Sequence, residues 1–319
     1  MQTLLITGGC GFIGSHLVEK LTPKFKQVIV IDNLSTGNLH NITPFLTKYN
    51  NLKYHYCDIT NLENLKKVFE LYQIDSISHQ AALGSVPRSI KDPLSSHLHN
   101  GTGFLNILHC AVLYKVKRVV YASSSSVYGD EKTLPKKEEK TGELLSPYAV
   151  TKKLDELYAN VFYKCYGLET IGFRYFNVFG TRQDPHGSYA AVIPKFINLM
   201  RQNKPIIING DLEISRDFSY IDNIVQANIK GLTTSNNKAF GQVMNICAGD
   251  RITLGDLVSI LKEQLNSDSE IIIGEFRKGD IQHSFGDATK AKELIDYQPT
   301  INFYKGIKLL FDVNNNGRI

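Results

Sequence analysis

The chain has no apolar run approaching the roughly 18 residues that cross a bilayer, and Met1 leads straight into Leu4-Leu5-Ile6 with no basic region or cleavage site. A membrane span and a secretory leader are therefore not expected, and a cytosolic protein is. CxxC pairs are missing: Cys10, Cys57, Cys110, Cys165 and Cys247 are far apart and odd in number. They are expected to pack rather than to pair, and no metal site is indicated. The basic residues form no stripe, and a net charge of +5 with a pI of about 8.7 is mild. Nucleic acid is not an expected partner; an anionic small substrate suits this charge as well. No repeat or low-complexity segment precedes the Asn314-Asn315-Asn316 tail.

What is present begins with a length of 319 residues, 42% hydrophobic and 21% charged, enough for one large domain or a domain with an appendage. Thr3 to Thr7 reads as a short buried strand, followed by Gly8-Gly9-Cys10-Gly11-Phe12-Ile13-Gly14 and an amphipathic helix to about Leu21. Strand, glycine turn and helix let backbone N–H groups and a helix N-terminus approach a pyrophosphate, although GxxGxxG departs from the commoner GxGxxG. The next strand, Gln27 to Ile31, ends in Asp32, where an acid can accept hydrogen bonds from an adenosine ribose. A carboxylate there repels a 2′-phosphate, so NAD is favoured over NADP. The alternative is a tight turn with no ligand, and both flanks and the acid argue against it.

Further strands are expected at Tyr54 to Tyr56, Ile74 to His79, Arg118 to Ala122 and Leu168 to Arg174, with helices at Glu63 to Leu71 and about Leu94 to Tyr114. Asp58 falls where an adenine amino group can be read. Gln80-Ala81-Ala82-Leu83-Gly84 puts small residues at a strand end, where a cofactor can lie close. Pro87 and Pro93 bracket a loop carrying Arg88. Ser123 to Ser126 sit at the carboxyl edge of a parallel sheet, where α/β folds hold ligands, although a bare serine run more often marks a loop. Lys132 to Glu143 reads as a solvated connection.

In Ser146-Pro147-Tyr148-Ala149-Val150-Thr151-Lys152, Pro147 takes a first helical position and the helix ends near Tyr166-Gly167. Tyr148 and Lys152, at i and i+4, share a face, so the ammonium favours an ionised phenol. A free phenol has a pKa of about 10, and one that takes a proton near pH 7 needs such a neighbour. Alone the spacing is weak, because exposed helices carry it by chance.

Past about residue 181 the pieces are shorter and mixed: a helix near Ala191 to Arg201, a strand at Ile206 to Ile208, a helix at Phe218 to Leu232, a strand at Gln242 to Ile246, a helix at Leu254 to Leu265 and a strand at Glu270 to Ile273. Arg216 and Arg277 are candidates to clamp a diphosphate, with ordinary surface ion pairs as the alternative. The rhythm implies an α/β fold: a Rossmann-type doubly wound parallel sheet over residues 1–180, carrying cofactor and catalytic residues. A smaller C-terminal α/β substrate lobe follows over 181–319, with some chain expected to cross back.

Taken together, Gly8 to Gly14, Asp32-Asn33, Ser123 to Tyr128, Tyr148 to Lys152, Arg174 to Gly180 and Arg277-Lys278-Gly279-Asp280 resemble the extended short-chain dehydrogenase/reductase family, specifically nucleotide-sugar 4-epimerases. Gln80 to Ser89, Arg182-Gln183-Asp184-Pro185 and Tyr189-Ala190-Ala191-Val192-Ile193-Pro194 are similar to its UDP-N-acetylglucosamine 4-epimerase branch.

The resemblance implies that Tyr148 takes the proton of the sugar 4-hydroxyl as hydride leaves C4 for the nicotinamide, with Lys152 lowering its pKa and Ser124 bonding the same hydroxyl. It implies NAD held by Gly8, Gly11, Phe12, Ile13, Gly14, Asp32, Asn33, Ser35, Thr36, Gly37, Asp58, Ile59, Gln80, Ala81, Ala82, Tyr148, Lys152 and Tyr175. It implies a UDP-sugar held by Gly84, Ser85, Arg88, Ser124, Ser125, Ser126, Tyr148, Asn177, Gln183, Ala191, Val192, Asn209, Arg216, Arg277, Asp280 and Ser284. The keto sugar must turn over before hydride returns, so binding energy belongs on the UDP, at Arg216, Arg277 and Asp280. Relatives limited to glucose and galactose carry a bulky Tyr where this chain has Ser284, which leaves room for an N-acetyl group. A homodimer paired through the helices near Leu94 to Tyr114 and Tyr148 to Tyr166 is implied as well.

One departure is expected to weaken cofactor contact: the family's Asn three residues before a glycine, read here as Gly101, is replaced by Leu98, with Asn100 or a water to compensate. Among rivals, 4,6-dehydratases carry Asp-Glu where this chain has Ser125-Ser126. A UDP-uronate epimerase or decarboxylase needs a cation near C6, which Arg88 can supply. A silent NAD-binding regulator has less reason to keep Ser124, Tyr148 and Lys152 together.

Overall fold

Seven parallel strands form the centre of a computed structural model that describes residues 2–185, 190–276 and 281–315. They are β1 (Thr3–Thr7), β2 (Gln27–Asp32), β3 (Leu52–Tyr56), β4 (Ser76–His79), β5 (Arg118–Ser124), β6 (Glu169–Tyr175) and β7 (Gln242–Ile246). Their spatial order is β3-β2-β1-β4-β5-β6-β7. The order reverses between β1 and β4, and a doubly wound sheet opens its ligand crevice at that switch point, beyond the strands' carboxyl ends.

Both faces of the sheet are covered, which is why its inner strands read as continuous apolar runs. Alternate residues point to opposite sides. Leu4, Ile6, Val28 and Val30 join one core, and Leu5, Ile29 and Ile31 the other. The first core is closed by α1 (Phe12–Leu21) and α4 (Ile221–Thr233), the second by α2 (Gly103–Leu113) and α3 (Pro147–Tyr166).

Gln242–Ile246, read as part of the smaller lobe, pairs with β6 from Gln242↔Ile171 to Ile246↔Tyr175 and completes the main sheet. The smaller region keeps the helices Val192–Arg201 and Leu254–Leu265 and the parallel pair Ile206–Asn209 and Ile271–Gly274. No helix among the described residues is long and apolar enough to cross a membrane.

Four local expectations are corrected. The segment between Pro87 and Pro93 is the helix Val86–Lys91, because Ser85 caps it by accepting from Arg88 N (3.2 Å) and a proline is tolerated in a first turn. The helix expected from Leu94 starts at Pro93 and passes through a wide π turn at Leu98–Thr102 before α2. Lys132 to Glu143 is not simply solvated: Lys136 is buried and its carbonyl accepts from Asn245 Nδ2 (2.9 Å), while Glu138 Oε1 accepts from Asn245 N (2.7 Å). Ser219–Tyr220 is a short strand on Val178–Phe179, so α4 begins only at Ile221. Among the cysteines, four are buried, and burial pushes the Cys10 and Cys57 thiols up to about 12 and about 11; Cys165 is exposed, against the expectation of packing.

Candidate active site

At the switch point the chain opens a cleft of about 280 Å³ whose floor is the first glycine turn. Gly8 has φ +66°, and a Cβ there would lie 2.7 Å from Ala81 Cα. A Cβ on Gly14 would lie 2.1 Å from the Gly8 carbonyl oxygen. Both positions therefore require glycine: one for the turn beside β4, the other for seating α1 against it. The opposite wall is fixed by the Thr7 hydroxyl, which accepts from the N–H groups of Gln80 and Ala81 (3.2 Å each).

Asp32 ends β2 at the rim, with Oδ2 accepting from Cys10 N (2.9 Å) and Oδ1 from Leu34 N (2.8 Å). Burial pushes its carboxyl above the ordinary value, and the two N–H bonds oppose the rise. Each oxygen keeps a lone pair for a ribose hydroxyl. Asp58 lies behind: burial works against its charge, but bonds from Asn33 Nδ2 (2.9 Å) and Thr60 hold its carboxyl below the ordinary value.

The structure brings Gly8, Gly11, Phe12, Ile13, Gly14, Asp32, Asn33, Ser35, Thr36, Gly37, Ile59, Gln80, Ala81 and Ala82 to one cleft wall or another. Gly84, assigned to the sugar, lines the same cleft. Leu83, within the stretch read as a close approach, lines it too, as do Ile31, Cys57 and His99, which escaped the sequence reading because they belong to no motif. Tyr175 stands behind the wall instead, its hydroxyl accepting from Asn228 Nδ2 (2.8 Å) and donating to Gln80 Oε1 (3.3 Å). Burial raises its phenol above the ordinary value, so this hydroxyl stays neutral.

Leu98 is 45% exposed and so does not supply a buried amide at this turn. The buried amide is Asn100, the residue expected to compensate, and it stands three residues before Gly103 rather than before Gly101. Asn100 Oδ1 accepts from Leu83 N (2.7 Å) and Nδ2 donates to Thr151 Oγ1 (3.1 Å). It thereby ties the cleft wall to the helix of Tyr148.

That helix, α3, starts where Ser146 accepts from Ala149 N (3.2 Å), with Pro147 in its first turn. Tyr148 is half-buried near the start. One turn on, Lys152 is 2% exposed and donates to Ala122 O (3.0 Å) and Asp155 Oδ2 (3.0 Å). Burial works against its charge, but Asp155 and Tyr148 hold its pKa above the ordinary lysine value, so it stays an ammonium. Ser124 ends β5, two residues beyond Ala122, and its Oγ accepts from Ser126 N (3.1 Å), leaving its own O–H to donate. Ser125 and Ser126 follow in a 3₁₀ turn on which α3 packs. Ser123 faces inward and donates to Glu156 (2.7 Å).

The remaining expected residues are more dispersed. Arg216 is half-buried and donates to the carbonyls of Ser215 (3.0 Å) and Gln282 (2.9 Å). Ser284 is buried, its N–H donating to Ser215 O (3.0 Å), so it shares a seam with Arg216. Gln183 donates to Val178 O (3.2 Å). Arg88, Ser85, Val192 and Asn209 are half-buried, while Asn177 and Ala191 are exposed. Arg277, Asp280 and Tyr189 lie outside the described residues.

A doubly wound sheet with a dinucleotide-shaped glycine turn and a Tyr-x-x-x-Lys helix beside it defines a nucleotide-cofactor enzyme of the short-chain dehydrogenase/reductase type. Residues 5–310 match the family described as "GDP-mannose 4,6 dehydratase", and the chain belongs to that extended family. It is similar to a UDP-glucuronate 4-epimerase of Thermodesulfobacterium geofontis (34% identity, covering 97% of this chain and 94% of that one). Among solved structures it is similar to a UDP-N-acetylglucosamine 4-epimerase from Methanobrevibacter ruminantium in complex with UDP-N-acetylmuramic acid (35% identity, TM-score 0.89, 98% of this chain and 99% of that one). Another is the Thermus thermophilus UDP-glucose 4-epimerase in complex with NAD (30% identity, TM-score 0.89, 99% and 100%).

Proposed function

We propose that this NAD-dependent UDP-sugar 4-epimerase interconverts UDP-N-acetylglucosamine and UDP-N-acetylgalactosamine, with UDP-glucose and UDP-galactose as secondary substrates. The observation that carries the reading is a buried Lys152 ammonium one turn from Tyr148, beside a cleft whose glycines and Asp32 fit a dinucleotide.

When bound, NAD supplies the acceptor that takes two electrons and a hydrogen from C4 and returns them to the other face of the sugar. Tyr148 removes the 4-hydroxyl proton and later gives it back, with the positive charge of Lys152 one turn away. Lys152 spends two N–H donors on Ala122 and Asp155, which leaves one for the cofactor ribose. Ser124 donates its free O–H to the same sugar hydroxyl. Asn33 and Asp58 face the adenine, and Asp32 the ribose. Arg216, with Arg277, Asp280 and Asn177, grips the UDP so that the sugar itself is held loosely and can turn over. Ser85, Ser125, Ser126, Gln183 and Ala191 surround the sugar, and Ser284 leaves space for the acetyl group.

The substrate lobe is drawn mainly from residues 181–319. The enzyme works as a homodimer, because Leu94 and Leu98 on one helical edge and Val150, Leu157 and Val161 along α3 are exposed. The last three recur at helical spacing and form one apolar stripe.

A second reading, UDP-glucuronate epimerisation, is supported by the 34% identical relative and by Arg88, a cation in the helix after Gly84. Incubating the enzyme with a panel of UDP-sugars and resolving the epimers decides between them. Higher kcat/KM on the N-acetylhexosamine pair is expected; turnover restricted to UDP-glucuronate would replace the first reading with the second.

A further inference from the structure

We propose that Asp155 is a positioning residue: it fixes the Lys152 ammonium and, by its own charge, sets how readily Tyr148 gives up a proton. The proposal rests on Tyr148 being the base.

Lys152 and Asp155 both sit on the buried face of α3. Asp155 lies three residues after Lys152 on the same face, and the two side chains are 1% and 2% exposed. Asp155 Oδ2 accepts from Lys152 Nζ at 3.0 Å, while Oδ1 has no hydrogen-bond partner among the described residues. The carboxylate is therefore committed to one cation and to nothing else. A lone buried ammonium is costly, and its counter-charge is supplied either by Asp155 or by an ionised Tyr148.

These two anions compete for one cation. With Asp155 ionised, the pair is close to neutral and the pull of Lys152 on the phenol is largely cancelled. With Asp155 neutral, the whole ammonium charge acts on Tyr148 and favours the phenolate.

The other groups around the pair do not play this part. Glu156, next on α3, is held by Arg174 of β6 and Ser123 of β5. His79 of β4 is kept neutral by burial and by Lys152, which press its pKa down to about 3. Tyr121 of β5 is fully buried and held protonated by that burial. Asp155 alone among them changes charge near neutrality: burial pushes its carboxyl up to about 7, with Lys152 opposing the rise and Glu156 adding to it.

The test compares the wild type with Asp155→Asn and Asp155→Ala in the full-length holoenzyme. Tyr148 is titrated by phenolate absorbance, with Tyr148→Phe subtracted, and the pH profile of kcat is recorded beside it. Asp155→Asn is expected to lower the Tyr148 midpoint by about half a unit or more. The acid limb of kcat should move the same way, with KM changed less than kcat. Asp155→Ala is expected to lose kcat through a loosened Lys152, and Asn, which still accepts a hydrogen bond, to restore most of it. If Asp155→Asn does not fold, Asp155→Ser, smaller and also neutral, should give the same shift.

A Tyr148 midpoint and acid limb that stay at the wild-type pH in the neutral variant, whatever happens to thermal stability, overturn the role of Asp155 and leave the base assignment standing. Full exchange by Tyr148→Phe overturns both.

Discussion

Glu156 and Arg174 form a two-point ion pair beneath the catalytic turn, Arg174 Nε to Oε1 at 2.8 Å and Nη2 to Oε2 at 2.9 Å, with both side chains buried. It joins α3 to β6, and the Ser123 bond to Glu156 brings in β5, so the relative placement of Tyr148, Lys152 and Ser124 depends on it. Burial works against the Glu156 charge, but Arg174 outweighs it and keeps the carboxyl below the ordinary value. Glu156→Ala leaves a buried guanidinium unpaired, a change that costs about 3–5 kcal/mol. Thermal unfolding should show a drop of several degrees, and activity should fall with it. An unchanged midpoint would mean that the helix is held elsewhere.

The glycine turn is testable through the cofactor alone. Gly8→Ala forces a side chain into φ +66° and to within 2.7 Å of Ala81, which forms part of the cleft wall. NAD affinity, measured by calorimetry, is expected to fall at least about tenfold, the equivalent of about 1.4 kcal/mol. Wild-type affinity in a folded variant would show that the cofactor does not use this turn.

Asp217 gives a pH signature of the opposite sign to Glu156. It is fully buried and accepts from the N–H groups of Ala248 (3.0 Å), Gly249 (3.2 Å) and Gly286 (3.3 Å). Burial pushes its carboxyl up to about 7, and the N–H bonds oppose the rise only in part. In the unfolded chain it titrates near about 3.9. The folded protein thus binds more protons between those values, and the stabilisation is complete below about pH 4 and lost as pH rises through about 7. Asp217→Asn removes that loss. Its stability relative to the wild type should climb between about pH 4 and 7, on the order of 1 kcal/mol per unit, and then level off. A flat difference across that range would contradict the assignment.

Ser284→Tyr addresses the sugar. Ser284 is buried in its seam with Ser215, so a tyrosine ring must occupy the neighbouring space. Turnover of UDP-N-acetylglucosamine should fall more than about tenfold relative to UDP-glucose, the scale on which a pocket discriminates by size. Equal losses on the two sugars would remove Ser284 from substrate selection.

Much of the fold was legible because it rests on short-range patterns. The strand before Gly8, the acid that ends β2 and the Pro147 helix start are each local, and each is found where the spacing puts it. The strand Gln242–Ile246 was recognised as a strand, but its place beside β6 depends on a long-range pairing, Gln242 with Ile171, that no local pattern encodes. In the site, the cleft glycines and Asp32 were readable because backbone approach demands particular residue types. Asn228 and Asp155 were not, and Asn100 was named only as a substitute for Leu98, because their importance lies in partners far along the chain or in complete burial. Tyr175 reaches the cleft wall through Gln80, a partner 95 residues away that no local pattern gives.

The phenol of Tyr148 is the group on which the proposed proton transfer turns. Tyr148→Phe, prepared with NAD bound, should retain the cofactor and the wild-type melting temperature while its conversion of UDP-N-acetylglucosamine falls by about 10²–10⁴-fold, the usual contribution of a general base. Conversion at the wild-type rate by a folded, NAD-loaded Phe variant would contradict it.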